Sequence, residues 1–289
     1  MVTKPVVVAV DGSEESLLAA EWAAMEARRR RLPLRIVSAP AKLPQMHADR
    51  VSAAAVADVL RAAAARVLET ARGRAEEVAP GLGITTELLS GPPALAVAGS
   101  GSGAAMLVVG ARGAGGFAAM VFGSVSRYAA SQATCPVIVV RQANMAVHRQ
   151  VAVGIRDPED TGQALAFAFE EAAARHADLV AVHAWHELPS ALRGQAGPEA
   201  IDAPFDPQQV SDEVGRHLCS TLDRWRQKYP DVTVRHDVMR GHPARVLADY
   251  SIRADLVVIG RHSDPGIGSI QHALLHHARG PVAVVPSGS

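Results

Sequence analysis

Short runs of Val, Ile and Leu alternate along the chain with longer segments whose apolar residues recur every three or four positions. Runs that are apolar at every position, rather than every second one, fit strands buried on both faces between two layers of helices. The first half yields strands near 5–10, 34–39, 84–90, 105–110 and 136–140, and the second near 151–155, 178–185, 232–238, 254–260 and 281–285. Helices fill the intervals. The first follows "DGSEES", where Ser13 suits an N-cap and Glu14 and Glu15 suit the positive end of the helix dipole. Leu18, Trp22 and Met25, at i, i+4 and i+7, predict its apolar face, and Arg28 to Arg31 predict a solvated basic last turn before Pro33. Leu165, Phe169 and Ala172 form the matching face in the second half. "VADVLRAAAARVLETARGRAEEV", residues 56–78, predicts a helix laid over the sheet rather than on a membrane, and a further helix is predicted from about 208 to 228.

The two halves repeat each other. "VVVAV" at Val6 matches "VAVGI" at Val151, 145 positions on. "GPPALAVAGSGSGAAMLVVGARG" at 91–113 matches "GHPARVLADYSIRADLVVIGRHS" at 241–263, and "GSVSRYAASQATCPVIVV" at 123–140 matches "GSIQHALLHHARGPVAVV" at 268–285. A tandem duplication of one βαβ-rich unit follows, with "RQANMAVHRQ", 141–150, as the joint and domains over 1–143 and 149–289. The fold class is α/β: two doubly wound, open twisted domains, each with a five-stranded, mainly parallel sheet flanked by helices. The last strands, "PVIVV" and "PVAVV", begin with proline and leave an edge for the other half or for a second chain. The Pro/Gly-rich stretch 187–207 reads as a long irregular surface excursion.

Composition narrows the function. Lys plus Arg and Asp plus Glu both total 29 of 289 residues, so no broad basic surface offers itself to nucleic acid or anionic lipid. The two cysteines, Cys135 and Cys219, lack metal-type spacing and fit a reducing compartment, as small buried apolar groups. "MVTKPVVVAVDGS" is too short in apolar length for a signal peptide, and no run approaches the roughly 18 residues of a membrane span. These features predict a cytoplasmic protein without membrane insertion.

The candidate chemistry lies in "GARGAGGFAAMVFGS", 110–124, directly behind the fourth strand. Doubly wound sheets bind ligands beyond the carboxyl ends of their strands. Gly110 and Gly113 lack Cβ atoms and let the backbone turn and approach a ribose or phosphate, and Gly123-Ser124 opens a helix whose free N–H groups favour an anion. Backbone amides can hold phosphate without a basic surface. There is no G-x-G-x-x-G after the first strand and no G-x-x-x-x-G-K-[ST], so neither a Rossmann dinucleotide site nor a Walker A loop is indicated.

Gly110-x2-Gly113-x9-Gly123-Ser124 behind a fourth strand, Asp11 ending the first strand, and "CPVIVV" as the fifth resemble the universal stress protein family, in its tandem form found in actinobacteria. The resemblance spans both halves and implies an adenine nucleotide alpha hydrolase-like domain that binds ATP, with or without Mg, or a related adenine nucleotide. It implies Asp11 at the base and ribose side and backbone of Ala39 at the adenine. Val109, Gly110, Arg112 and Gly113 would line ribose and phosphates, and Gly123, Ser124 and Val125 would take the phosphate tail. It further implies a regulator of stress adaptation that acts by occupancy, as a homodimer with a protein partner. A slow ATPase and an interaction module with vestigial sites are the alternatives.

The second half departs from that motif. Arg156 stands in place of Asp11, with Asp157 next; Ser263 replaces the second glycine; and the loop before Gly268 is shorter. Ala184, Gly260, Gly268 and Ser269 remain, but the shorter loop with a non-glycine corner predicts a site weakened, altered or lost; Arg156 and Arg261 read either as phosphate contacts or as exposed arginines without such a role. Of the other features, His272, His276 and His277 offer an i, i+4 metal pair without a third ligand. His183 and His186 flank Trp185 at a strand end, and "GSVS" lacks the G-x-S-x-G elbow.

Overall fold

The computed structural model describes residues 3–40, 50–113, 122–141, 147–156, 162–185, 207–261 and 268–287. In the first half, β1 (Val6–Ala9), α1 (Glu14–Arg30), β2 (Leu34–Ser38), α2 (Arg50–Val78) and β3 (Ile84–Leu88) are followed by α3 (Pro93–Ser100), β4 (Met106–Gly110), α4 (Ser124–Gln132) and β5 (Val137–Val140). In the second, β6 (Gln150–Gly154), α5 (Gly162–Arg175), β7 (Asp178–Trp185), α6 (Pro207–Lys228) and β8 (Val234–Arg240) lead to α7 (Pro243–Tyr250), β9 (Leu256–Gly260), α8 (Gly268–His277) and β10 (Val282–Val285).

The strands form one sheet in the order β3-β2-β1-β4-β5-β10-β9-β6-β7-β8. Pairing is parallel within each half and antiparallel only at the centre, where Val282, Ala283 and Val284 lie opposite Val139, Ile138 and Val137. The two proline-led edges therefore pair with each other, and neither is left for a second chain. Side chains alternate as a two-sided sheet demands: Val6, Val8 and Val10 enter one core with Ile138 and Ala283, while Val7 enters the other with Val139 and Val282. Both cores thus run through the central seam.

Ser13 caps α1, accepting from Ser16 N at 3.3 Å, and Glu14 and Glu15 occupy the first turn. Two expectations for this helix are corrected. Its buried apolar positions are Leu17, Ala19, Ala20, Ala23, Ala24 and Ala27, at 8% exposure or less, whereas Leu18, Trp22 and Met25 are only half-buried. Small alanines face the sheet because the backbone packs close there. The basic last turn is not wholly solvated either: Arg28 and Arg29 are exposed, but Arg30 turns inward to Glu26 and to Glu171 of the other half. In α5, Leu165, Phe169 and Ala172 are buried as expected. In α2, Ala64, Leu68, Ala71 and Ala75 face the core at three- and four-residue spacing. The excursion at 187–206 lies outside the described residues, and α6 starts at Pro207. No helix among the described residues is long and apolar enough to cross a membrane.

Candidate functional site

The mouth of the first half forms where β1 and β4 end side by side. Asp11 follows β1 in a turn whose Gly12 has φ +88, a left-handed backbone that suits glycine, and a Cβ there would lie 3.0 Å from Val67 Cγ2. Asp11 is exposed, and its Oδ1 accepts from Ser13 N at 3.0 Å and Ser13 Oγ at 2.6 Å. Ser13 therefore both caps α1 and fixes the carboxylate. In the sequence the "DGS" turn reads as a helix start, and the same three residues carry the signal for Gly12 and Ser13 as site-shaping positions.

The three glycines of the motif are not alike, and none has a left-handed φ. Gly110 is buried, and a Cβ on it would lie 2.9 to 3.0 Å from the backbone of Glu15 and Ser16. Its missing side chain lets β4 touch the first turn of α1, a packing role that the motif alone does not show. Gly113 faces the mouth, since a Cβ there would collide with Asp11 Oδ2. Gly123 N donates to Ala111 O at 2.9 Å, and a Cβ on it would come within 3.1 Å of Ser126 Oγ, which itself donates to Ala111 O at 3.2 Å. These bonds draw the start of α4 onto the end of β4.

Gly123 is the N-cap of α4 in extended backbone and makes no side-chain cap hydrogen bond. The first-turn amides of a helix have no partner within it, and among the described residues no N-cap side chain takes those of α4. Ser124 is exposed and Val125 half-buried. Val109 is buried in the β4 core, and Ala39 is half-buried just past β2. Arg112 crosses to α1, where its Nε and Nη2 lie 3.0 and 2.8 Å from Glu15 Oε1, so its charge is matched within the protein. Residues 114–121 of the glycine loop lie outside the described residues.

The second mouth is different. Arg156, at the Asp11 position, is exposed. Ala184, next to last in β7, and Gly260, last in β9, are half-buried, and Gly268 and Ser269 begin α8. Arg261, read as a phosphate contact or as an exposed arginine, is half-buried. Its Nη1 donates to Ala133 O of the first half at 2.7 Å. Asp157 and Ser263 lie outside the described residues.

Elsewhere, His272 and His276 stack with ring centroids 6.3 Å apart, and burial, then the charges of His277, Arg141 and His272, push His276 below its ordinary pKa. Among the described residues no group of three or more His, Cys, Asp or Glu could hold a metal ion. His183 Nδ1 sits 3.0 Å from Ile155 O, and His186 is not described. Cys135 is buried, and that burial pushes its thiol up to about 11; Cys219, half-buried, lies 3.6 Å from His236 Nδ1.

A family model described as "Universal stress protein family" matches residues 3–141 and again 148–286. A universal stress protein of Mycobacterium tuberculosis is 34% identical over 293 residues, covering 96% of each chain, and a second from that organism is 33% identical over 308 residues, covering 96% of this chain and 94% of its own. Among solved structures, a universal stress protein from Archaeoglobus fulgidus aligns with a TM-score of 0.70 at 16% identity, over 99% of this chain and 97% of that one. It shares the fold.

Proposed function

The chain belongs to the universal stress protein family, and on that premise we propose that its first half binds an adenine nucleotide and acts by occupancy rather than turnover. The observation that carries this reading is the uncapped start of α4, opening beside Asp11 and Gly113 at the carboxyl rim of the sheet. An anion placed there meets first-turn amides without an intrahelical partner and the positive end of a helix dipole. Asp11, held by Ser13, takes the ribose and base side, and backbone at Ala39 takes the adenine. Gly123, Ser124 and Val125 take the phosphate tail, with Gly113 leaving room for it. Gly110 and Arg112 support the mouth from beneath, through α1. ATP, with or without Mg, is the ligand this arrangement is proposed to favour.

The domains, 1–143 and 149–289, are proposed to be unequal. With Arg156 for Asp11 and Arg261 turned to Ala133, the described residues of the second mouth include no carboxylate fixed as Asp11 is, and this half is proposed to bind nucleotide more weakly. The protein is proposed to work in the cytoplasm, its nucleotide altering the surface around the first mouth and so the choice of a protein partner. A homodimer of this chain would use surfaces other than β5 and β10, which are already paired. Mass spectrometry of ligand released on denaturing freshly purified protein tests the reading. An adenine nucleotide near one per chain supports it; protein that carries none and retains none after incubation with Mg-ATP refutes it.

A further inference from the structure

Two arginines cross the central seam in opposite directions. Arg261 follows Gly260 at the end of β9, its own N–H bonded to Val285 O at 2.7 Å, so it belongs to the rim of the second mouth. Its guanidinium reaches Ala133 O, the residue that ends α4, at 2.7 Å. Arg141 follows Val140 at the end of β5, on the rim of the first mouth. Its Nη2 donates at 3.0 Å to Leu275 O, in the last turn of α8. The surroundings of Arg141 are set by that mouth: burial lowers its pKa first, the charge of Arg112 lowers it further, and Glu15 opposes both. Arg261 is likewise lowered by burial, with Cys135 the one opposing group.

A cation at the C-terminal end of a helix is favoured by the dipole and satisfies a carbonyl there. α4 has only nine residues, and its far end is the proposed phosphate site. We infer that Arg261 and Arg141 are reciprocal positioning residues, each standing on the rim of one mouth and holding the C-terminal end of the helix that opens the other. The first-half site then depends on a residue of the second half that never touches its ligand. A ligand at the second mouth that drew on Arg261 would also be felt at α4. This inference rests on the reading of α4 as the phosphate site, but its geometric part does not need a nucleotide.

The test compares full-length wild type with Arg261→Gln, Arg261→Lys and Arg141→Gln, by hydrogen exchange without ligand and by calorimetric titration with Mg-ATP. Arg261→Gln is expected to speed exchange across 124–132 about two- to fivefold and to weaken Mg-ATP binding by a similar factor, the size of a helix-terminal charge effect. Arg261→Lys should restore both. Arg141→Gln should instead speed exchange across 268–277, a selectivity that general loss of stability would not produce. Unchanged exchange in α4, or equal speeding of both helices by either variant, overturns the inference whether or not Mg-ATP binds. So does faster exchange with unaltered Mg-ATP affinity. Absence of Mg-ATP binding by wild type refutes the proposed function instead, and leaves the exchange pattern to decide this one.

Discussion

Arg175 Nη2 donates to Glu26 Oε2 at 2.8 Å, joining α5 to α1 across the two halves. The duplication places Glu171 and Arg175 145 positions after Glu26 and Arg30, so the pair is half of a near-symmetric quartet. Arg30 bonds both Glu26 and Glu171, and Arg175 does the same. The aromatic neighbours repeat as well: Trp22 lies under Arg175, and Phe167, its counterpart, under Arg30, with guanidinium carbons 5.6 and 5.5 Å from the ring centroids. Both glutamates are 0% exposed, so the quartet is a buried, fully paired ionic link.

Removing one member strands the others. Glu26→Gln is expected to cost about 3–5 kcal/mol in urea unfolding, because Arg175 and Arg30 stay buried with one carboxylate between them. Replacing Glu26, Arg30, Glu171 and Arg175 together by Leu and Met should recover most of that loss, since no charge is then left buried. A quadruple variant less stable than Glu26→Gln would contradict this account of the seam.

The quartet also sets an acid limit. Burial alone would raise the pKa of Glu26, but Arg175, Arg29 and Arg30 together hold it below its ordinary 4.5. A carboxyl whose folded-state pKa is depressed contributes stability that is present in full above the unfolded value and is lost as pH falls through the folded one. Unfolding free energy of the wild type should therefore fall as pH drops below 4.5, and the fall should be shallower in Glu26→Gln. Parallel curves would rule out Glu26 as a contributor.

Gly110→Ala and Gly113→Ala should separate packing from binding. The first sets a Cβ against α1 backbone at 2.9 Å and is expected to cost about 1–3 kcal/mol of stability, as overpacking does. Among the described residues the second meets only the Asp11 carboxylate, so thermal unfolding should change little while Mg-ATP affinity falls as the carboxylate is displaced from Ser13. The reverse pattern would exchange the roles given to these glycines.

The thiols offer a simple check of burial. With Cys135 buried and pushed up to about 11, its thiolate is scarce at pH 8. Ellman's reagent should label one thiol in the native protein, and Cys219→Ser should remove that signal, leaving Cys135 to react only in denaturant. Two fast thiols in the native state would contradict the packing around Cys135.

Much of this was legible in the residues. Continuous valine runs located the strands, because a strand covered on both faces must be apolar throughout, and the 145-residue repeat revealed two units. The residues of the rim motif sit at two strand ends that the structure makes neighbours, β1 and β4. What pattern could not show was distance between halves. Arg30 reads as one more basic residue closing a helix, and nothing in local spacing says that Glu171, 141 positions away, meets it. Arg261 reads equally as a phosphate contact or an exposed arginine, and only the β5–β10 pairing shows that Ala133 is within its reach. Gly110 looks like Gly113 in the motif, yet one packs beneath a helix and the other faces Asp11.

Calorimetric titration of Mg-ATP into wild type and Ser124→Glu tests the central claim most directly. Ser124 is exposed in the first turn of α4, where a carboxylate favours the helix but opposes an incoming phosphate. The account predicts saturable binding to the wild type, weakened at least about tenfold in the variant, a loss of some 1.4 kcal/mol, with no fall in thermal stability. Equal affinity in the two proteins would contradict it.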